Sequence, residues 1–464
     1  MDQTMDDEAD PLSVAAAPTH PDSMGEFSII HVNPRRCDPA THHPDVSCQA
    51  CGTGRYAETD LDISAIPGGI MTRYSLGELA FAADSPDFQA ILRRAYADKQ
   101  RPLCLCTTGG VELYIAFAHE RYWLKRMPNS GERHHPGCES YEPPAELSGL
   151  GQVYGSAIRE NLDSGITQLK FEFRLAPGKS RTSPAPPETD QSPKPTAIVA
   201  SEPKLGLRGL LHYLWEQSGW HRWTPATAAR RHWYGLRKAL LEACAGKVAK
   251  SSPLDTWVFI PETFVLDKKD EINDRLAKAL SYADNLHRFR LLIGELKEIK
   301  EARFGHKLIV KHLPEFPFFI NEQTYKRFIK QFDSELLLWR GIESSHLMII
   351  GTFAINQAGH AELDSVSLMN VSSQWIPFET ADELSLLDYL VMHGRSFAKC
   401  LRYNLAGTKP LASVVLVDTE APTAVYSIQA DANDERAEAI RALMAQSQTA
   451  SLIWDPRHPG LPDA

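Results

Sequence analysis

The spacing of hydrophobic and polar residues changes several times along the chain. Between Met24 and about Leu175, runs of alternating apolar residues such as "VELYIAFA" and "RYWLKRM" predict short strands. In the same part, residues 76–99 place apolar side chains at helical spacing and predict a helix. We therefore expect a β-rich module over residues 24–175.

Residues 205–250 have the pattern of a helical pair. The stretches "LRGLLHYLWEQSG" and "TPATAARRHWYGLRKALLEACAG" carry apolar residues at helical spacing. Thr224 is a natural N-cap with Pro225 in the first turn, and Gly219 and Gly246 stand where the two helices should end.

Beyond Leu254, strand and helix patterns alternate, which predicts a mixed α/β domain over residues 251–370 and another over residues 371–464. The predicted strands are "DTWVFI", "RFRLLIGELKEI", "HKLIVKHL", "HLMIIGTFAI" and "ASVVLVDT". The predicted helices are "KDEINDRLAKALSYADNL", "TYKRFIKQFDSELLLWRG", "ADELSLLDYLVMHG" and "ANDERAEAIRALMAQSQ".

Two stretches contain too few large apolar residues to form a core. Residues 176–204 hold seven prolines, and such a composition cannot bury enough apolar surface to offset chain entropy. Residues 1–23 carry six acidic residues and no lysine or arginine. We expect a disordered acidic tail at 1–23, a disordered linker at 176–204, and an α+β multidomain protein around them.

Composition narrows the class of protein. The 464 residues are 43% hydrophobic and 23% charged, as in ordinary globular proteins. The sequence has no run of about 18 apolar residues, so we expect no membrane span and no membrane partner. The acidic start is the opposite of a secretory signal, which predicts a cytoplasmic location. In that compartment, neighbouring cysteines more often bind metal than form disulfides.

Three cysteines and two histidines lie close together in "RPLCLC" and "GERHHPGC". Tetrahedral Zn²⁺ takes four Cys or His ligands, and short spacings let one turn supply two of them. Cys104, Cys106, Cys138 and either His134 or His135 would complete a closed structural zinc site. The alternative is three unrelated core cysteines beside exposed histidines.

A second group, in "CDPATHHPDVSCQACG", contains Cys37, Cys48 and Cys51 with two histidines between them. Its C-x2-C spacing and following glycine are typical of a zinc knuckle, so a second structural zinc is a hypothesis. A solvated cysteine-rich loop is the alternative. Cys244 and Cys400 have no neighbouring partners and are predicted to be small buried residues.

A formal net charge of -10 excludes a basic field over the whole protein, so nucleic-acid binding would need local patches. The stretch "GWHRWTPATAARRHWYGLRK" interleaves aromatic residues, which stack on bases, with cations, which contact phosphates. Alternatively, the tryptophans join two helices and the arginines form their solvated face. The candidate nucleic-acid-binding residues are Arg222, Arg230, Arg231, Arg237 and Lys238, with Arg395, Lys399 and Arg402 in a second patch.

The motif block "RPLCLC…LYIA…YWLKRMPNSG…HHPGC…SYE" resembles a bacterial family catalogued as domain of unknown function 1173. The similarity runs from about Arg101 to the end of the sequence and includes "LLHYLWE", "LLIGELK", "WIPFET" and "FAKCLRYN". Members of this family recur on integrative and conjugative elements. The resemblance therefore implies a role in the transfer or maintenance of a mobile element.

The C-terminal part resembles a restriction-endonuclease-type core, in which a helix precedes a β-meander bearing Pro-Asp and Glu-x-Lys. Here the Pro-Asp position holds Ala412 and Ser413, and the Glu-x-Lys position begins at Tyr426. Since these residues cannot hold Mg²⁺, we assign no catalytic residue and predict a degenerate nuclease-like domain. The carboxylates that an active magnesium-dependent nuclease could use instead are Glu379, Asp382 and Asp418.

A second Glu-x-Lys, at Glu295 and Lys297, is interpreted as alternating charge on a half-solvated hairpin. The sequence has no phosphate-binding loop, GxSxG or HExxH, which argues against nucleotide-dependent and common hydrolytic chemistry. We therefore expect a zinc-containing accessory protein of a bacterial mobile element that binds DNA or RNA without catalysis. A magnesium-dependent nuclease and a protein-interaction scaffold are the alternatives.

Overall fold

The computed structural model describes residues 73–118, 120–176, 203–281, 289–428, 434–457 and 460–461. These residues form a mixed α+β protein with several sheets, and five strands close into a barrel. Three predicted features lie outside the described residues: the acidic tail, the group of Cys37, Cys48 and Cys51, and residues 177–202 of the predicted linker.

The first sheet contains the strands that the alternating pattern predicts near the first cysteine group. Its strands are β1 (Arg73–Leu76), β2 (Leu79–Ala82), β3 (Leu103–Cys104), β4 (Val111–Ala118) and β5 (Arg121–Arg126). They run antiparallel in the order β2-β1-β3-β4-β5. The strands predicted at "VELYIAFA" and "RYWLKRM" are confirmed as β4 and β5, which form a hairpin in which Ile115 pairs with Leu124.

The helix predicted over residues 76–99 is shorter than expected. Helix α1 (Phe88–Ala97) occupies only the second half of the predicted range, and it buries Leu92 against the first sheet. Leu79 lies in β2 instead, because Gly77, with a φ of +62°, reverses the chain between β1 and β2.

The described residues between Ile158 and Pro253 form a helical pair and a second sheet. The elements are β6 (Ile158–Asn161), β7 (Ile166–Leu169), α2 (Leu207–Gln217), β8 (Arg222–Trp223), α3 (Trp233–Cys244), β9 (Lys247–Ala249) and β10 (Ser252–Pro253). The sheet order is β10-β9-β7-β6, so β7 and β9 from opposite sides of the predicted linker pair in parallel.

The predicted helical pair is present, and both helices end at glycines with positive φ, Gly219 (+74°) and Gly246 (+68°). The second helix begins later than predicted. Thr224 caps a 3₁₀ helix at Pro225–Arg230, and α3 follows with His232 as its own N-cap.

A closed barrel forms the centre of residues 254–378. The elements are β11 (Val258–Phe259), α4 (Lys269–Ala279), β12 (Arg290–Glu301), β13 (His306–Val310), β14 (Phe318–Ile320), α5 (Glu322–Gln331), α6 (Asp333–Gly341), β15 (His346–Ile355), β16 (Ala361–Val371) and β17 (Pro377–Phe378). The closed order is β12-β13-β14-β16-β15 and back to β12, with β14 and β16 parallel.

The barrel closes because β12 is long enough to pair on both of its edges. Its first half pairs with β15 and its second half with β13, with a register shift between Leu296 and Glu298. A Cβ at Gly294 would lie 2.7 Å from Val310 Cγ1, so this close approach of the strands requires glycine. Large apolar side chains fill the interior, including Leu292, Phe318 and Phe353.

One outer face of the barrel packs on the helical pair. Leu291 of β12 and Ile350 of β15 share a buried apolar cluster with Leu210 of α2 and Trp233 of α3. The outer face of β13 and β14 contributes no residue to this buried cluster.

The strand and the two helices predicted for residues 371–464 are present, together with three further strands of the last sheet. They are α7 (Ala381–Met392), β18 (Phe397–Lys399), β19 (Val414–Leu416), β20 (Thr423–Ser427), α8 (Asp434–Gln446) and β21 (Ala450–Trp454). The sheet order is β21-β20-β19-β18-β8, with β20 and β21 parallel. The edge strand β8 comes from between the two helices of the pair. Among the described residues, no helix combines the length and apolar character needed to cross a membrane.

Candidate functional site

Two turns bring the first cysteine group together. Strand β3 ends at Cys104, and the chain then turns through Gly109 and Gly110, whose φ angles are +85° and +69°. After the β4–β5 hairpin, a tight turn follows His134, and the backbone N–H of Cys138 donates to the carbonyl oxygen of His135 (2.8 Å). The hairpin thus returns the second pair of ligands to the first.

The side chains of Cys104, Cys106, His134 and Cys138 form a compact group that could hold a metal ion. Their ligand atoms all lie within 4.8 Å of one another. Cys104 Sγ lies 3.6 Å from Cys138 Sγ, and Cys106 Sγ lies 3.3 Å from His134 Nδ1. A tetrahedron with metal–sulfur bonds of about 2.3 Å requires ligand separations of roughly 3.5–3.8 Å. The spacing in the protein is therefore close to that of a filled site.

Backbone amides favour the ionised form of two of the sulfurs. Cys104, Cys138 and His134 are buried, and the N–H groups of His135 and Ser140 point at Cys106 Sγ and Cys138 Sγ, each at 3.4 Å. Such N–H donors favour thiolates.

The two buried thiols, Cys104 and Cys138, share a contact that shifts their pKa values in opposite directions. The hydrogen bond from Cys104 lowers the pKa of Cys138 to about 4 against the opposing effect of burial, with a further contribution from His134. The same contact, together with burial, raises the pKa of Cys104. The group thus holds one thiolate readily, and a bound cation would favour ionisation of the others.

The structure decides between the two histidines. His134 Nδ1 faces the sulfurs, while its Nε2 is buried with no hydrogen-bond partner among the described residues. His135 is exposed, and its Nδ1 accepts a hydrogen bond from the N–H of Gly137 (3.1 Å). Only His134 therefore completes the group. Cys244 and Cys400 are buried elsewhere, as predicted.

Arg222 braces the turn that carries Cys138. Its guanidinium donates to four backbone carbonyl oxygens, including those of Pro136 (3.0 Å), Cys138 (2.7 Å) and Tyr141 (3.2 Å). The positive charge also lies close enough to interact with the Cys138 thiolate. Arg222 therefore joins β8 to the ligand turn, a role that its place in a basic stretch did not indicate.

Arg222→Met should weaken metal binding by about 10-fold to 100-fold, the usual cost of losing a group that orients ligands. The reason is that four carbonyl oxygens lose their donor and the thiolates lose a nearby cation. Chelator competition with Zn²⁺ as the probe measures this, and the exposed Arg230→Met is the matched control. An affinity equal to that of the wild type would contradict the bracing role.

The fold and this group define the class: an α+β protein with a closed barrel and a Cys₃His group able to hold a metal ion. A family model described as "Protein of unknown function (DUF1173)" matches residues 74–457, and the chain belongs to this family. The resemblance carried by the motif block is thereby confirmed. No curated protein and no solved structure matches the chain.

Several candidate cations near the helical pair are used inside the protein. Besides Arg222, Arg231 donates to three backbone carbonyl oxygens, and Arg237 donates to another. Arg230 and Lys238 are exposed. The tryptophans of the stretch are buried, namely Trp220, Trp223 and Trp233. This placement favours the alternative in which the stretch is a core with a solvated outer face.

The second basic patch consists of ion pairs. Its pairs are Arg395 with Asp418 (3.0 Å), Lys399 with Glu383 (2.9 Å) and Arg402 with Glu379 (2.7 Å). Lys399 and Arg402 are buried, so their charges are neutralised within the fold rather than presented to a ligand. Two of the carboxylates considered for a nuclease, Glu379 and Asp418, are therefore engaged with arginines.

The nuclease-like positions lie in apolar surroundings. Ala412, Ser413 and Tyr426 are buried, and Asp382 lies in the first turn of α7. In the part of the chain that the structure describes, the Cys₃His group is the cluster that could hold a metal ion. The structure brings no comparable carboxylate cluster to these strands within that part.

The interpretation of Glu295 as a half-solvated residue is wrong. It is buried in β12 and bonded to Lys311 and His346, both at 2.8 Å, while Lys297 is exposed. Burial alone would raise the pKa of Glu295, but the bonds from His346 and Lys311 lower it overall. Glu295 thus forms an internal ionic contact, and it does not act together with Lys297.

Basic and aromatic side chains around β13 and β14 were not among the residues predicted from the sequence. Lys307 pairs directly with Phe319 across these strands, and Phe304, in the turn before β13, is 81% exposed. The signal lay in "KEARFGHK", where a large aromatic residue stands between cations in a hairpin turn.

Proposed function

We propose that this protein binds single-stranded nucleic acid on the outer face of β13 and β14, and that the Cys₃His group holds a structural zinc ion. The observation that carries the proposal is the barrel topology combined with the side chains on that face. The contacts of the helical-pair cations make that stretch a weaker candidate.

The barrel order supports this choice of surface. Five strands close as first, second, third, fifth, fourth, and helices stand between the third and fourth strands. This is the order of the oligonucleotide- and oligosaccharide-binding barrel, which uses strands two and three and the adjoining loops for its ligands. A fold-level likeness supports a binding mode only when the residues agree with it.

A row of side chains of the kinds that contact nucleic acid crosses the outer face of β13 and β14. Lys300 of β12 lies opposite Lys307 of β13, which lies opposite Phe319 of β14. Lys300 Nζ also lies 2.9 Å from Glu298 Oε1, but this pair is on the surface, where an ion pair costs little to exchange for a phosphate. Phe319 in turn lies against His360 with 5.1 Å between ring centroids. Aromatic rings stack on bases without regard to sequence, and lysines contact the phosphates between them.

The two loops beside this face also suit a strand of nucleic acid. In the β12–β13 loop, Arg303 lies over the Phe304 ring at 5.2 Å. In the β15–β16 loop, Asn356 Oδ1 accepts from the N–H groups of Ala358 and His360 at 3.0 and 2.9 Å. A loop held by its own hydrogen bonds loses less entropy when a ligand binds.

The donor set favours zinc for the metal site. Three thiolates and one imidazole in a closed tetrahedral group are typical of structural zinc and leave no open position for a substrate. The role of such an ion here would be to fasten the β3 turn to the turn that Arg222 braces.

A magnesium-dependent nuclease has one observation in its favour. The order α7-β18-β19-β20-α8-β21 follows the helix, meander, helix and strand of a restriction-endonuclease-type core. The proposal also includes an association with a mobile element, and its support is the family resemblance alone. We place nucleic-acid binding first because the barrel face offers ligand contacts and the C-terminal strands offer no carboxylates at the expected positions.

Phe319→Ala and the double variant Lys300→Ala/Lys307→Ala should each weaken binding of a single-stranded oligonucleotide of about 16 residues by roughly 10-fold. The lysine variant should also reduce the slope of log affinity against log salt by about 1.4, since each phosphate contact contributes about 0.7. Fluorescence anisotropy over a salt series measures both effects. Circular dichroism checks that each variant is folded.

The matched control is Arg230→Ala/Lys238→Ala, which removes two exposed cations from α3 and the preceding turn. It should bind as the wild type does. Loss of binding in this control together with unchanged binding in the barrel variants would overturn the proposal. Absence of any oligonucleotide binding would favour the protein-interaction scaffold, and magnesium-dependent cleavage of the oligonucleotide would favour the nuclease.

A further inference from the structure

A cavity of about 320 Å³ lies beside the turn that carries Cys138 and away from the barrel strands. It is formed by the β4–β5 hairpin, residues 139–142, β6, the two helices of the pair and β9. The volume is within the range of small-molecule sites, about 300–1,000 Å³. Its most unusual feature is the number of charged side chains that converge on it.

Two lysines face this cavity without ion-pair partners. Lys125 of β5 and Lys247 of β9 both line it, and Lys247 is only 2% exposed. Within the described residues, neither amine lies within ion-pair distance of a carboxylate. Lys125 Nζ would lie 3.9 Å from a Cβ placed on Gly246, the residue before Lys247, and the charge of Lys125 acts on the Lys247 amine.

Two of the other charged groups that line the cavity already have partners. Arg126 forms an ion pair with Glu142, and Glu160 already accepts a hydrogen bond from the Tyr154 hydroxyl (3.2 Å). Glu160 is the carboxylate whose field acts on both lysines. The two amines share this one carboxylate, so a bound anion would balance the charge of their protonated forms.

The remaining wall supplies polar atoms that have no partner of their own. Among the described residues, Glu216 Oε1 and His221 Nδ1 are buried without a hydrogen bond. Burial first, and then the neighbouring Glu142, raise the pKa of Glu216 well above its usual range. A protonated Glu216 is a hydrogen-bond donor. Unpartnered buried polar atoms cost free energy unless a ligand or water satisfies them.

We propose that this cavity binds a small anion, a molecule with a phosphate or carboxylate group, between the amines of Lys125 and Lys247. Glu216 and His221 also line the cavity and would supply neutral hydrogen-bonding groups. Burial, reinforced by Lys125, lowers the pKa of Lys247 to about 7. A bound anion would favour the charged form of that amine and relieve the repulsion between the two lysines.

The test uses full-length protein with inorganic phosphate in one arm and succinate in the other. Each probe that binds should raise the thermal unfolding midpoint with concentration, and titration calorimetry gives the affinity. Lys247→Met and Lys125→Met should each lower that affinity at least 10-fold. Binding of phosphate alone would assign a phosphate ligand, and binding of succinate alone would assign a carboxylate ligand.

Three control measurements assign the binding to this cavity. Lys238→Met, an exposed lysine on α3, should bind the probes as the wild type does. Lys307→Ala should also retain them, which shows that phosphate is not held by the barrel face. Lys247→Met should change the midpoint little in anion-free buffer, because the loss of the amine's contact with the Tyr213 ring (5.3 Å) is offset by removal of a desolvated amine that has no ion-pair partner.

Anion binding here is independent of nucleic-acid binding on the barrel, so either proposal can fail alone. The anion site would be overturned if neither probe changes the midpoint of the wild type. It would equally be overturned if Lys247→Met and Lys125→Met bind both probes with unchanged affinity.

Discussion

Cys138→Ser is expected to abolish stoichiometric zinc binding and to unfold the module around the first sheet. A serine hydroxyl does not replace a thiolate in a buried tetrahedral site, and structural zinc contributes about 10–16 kcal/mol of apparent binding free energy in small zinc domains. Here the apolar cluster of Leu92, Leu113 and Cys104 supports the same module, so we expect part of that energy to appear as lost stability. Elemental analysis and circular dichroism measure the two effects.

His135→Ala is the control for this variant, because His135 is the exposed neighbour that does not face the sulfurs. It should keep one zinc ion per Cys₃His group. If Cys138→Ser cannot be purified, removal of zinc from the wild type by a strong chelator should produce the same loss of structure. Wild-type protein that retains its fold and its unfolding midpoint without zinc would contradict a structural role.

Lys399→Met is expected to destabilise the protein by about 3–5 kcal/mol, since it leaves the Glu383 carboxylate buried without its cation. Both side chains are less than 10% exposed, and they lie 2.9 Å apart. The Lys399 amine also donates to the carbonyl oxygen of Cys400 (2.7 Å). Urea unfolding monitored by tryptophan fluorescence gives the change in the free energy of unfolding.

The double variant Lys399→Met/Glu383→Gln is the matched test of this ion pair. Glutamine can still accept the N–H of Glu379, as Glu383 does (2.7 Å), but it carries no charge. The double variant should therefore be more stable than Lys399→Met alone. A single variant that loses less than about 1 kcal/mol would mean that the pair behaves like a solvated surface pair.

The metal group could be predicted from the sequence because its geometry is local. A β-hairpin between Cys104–Cys106 and His134–Cys138 returns the chain to its starting point, and alternation alone predicts that hairpin. The choice between the two histidines could not be made, because it depends on how the turn after His134 folds back on the sheet.

The basic stretches were harder to interpret because their partners are distant in the sequence. Arg222 bonds to carbonyl groups that lie more than 80 residues away, and Lys399 pairs with Glu383 on a separate element. Composition identifies such cations, but it does not show whether they form hydrogen bonds and ion pairs inside the fold. The same applies to the barrel. Its individual strands are visible as patterns, whereas its closure depends on β12 pairing with both β13 and β15.

Photochemical crosslinking tests the proposed nucleic-acid surface most directly. Single-stranded DNA containing 5-iododeoxyuridine would be irradiated with the wild-type protein, and crosslinked peptides identified by mass spectrometry. The proposal predicts crosslinks on peptides that contain Phe304, Phe319 or His360, and their loss in Phe319→Ala at the Phe319 position. Crosslinks confined to the stretch from Arg222 to Lys238, with none on the barrel, would contradict it.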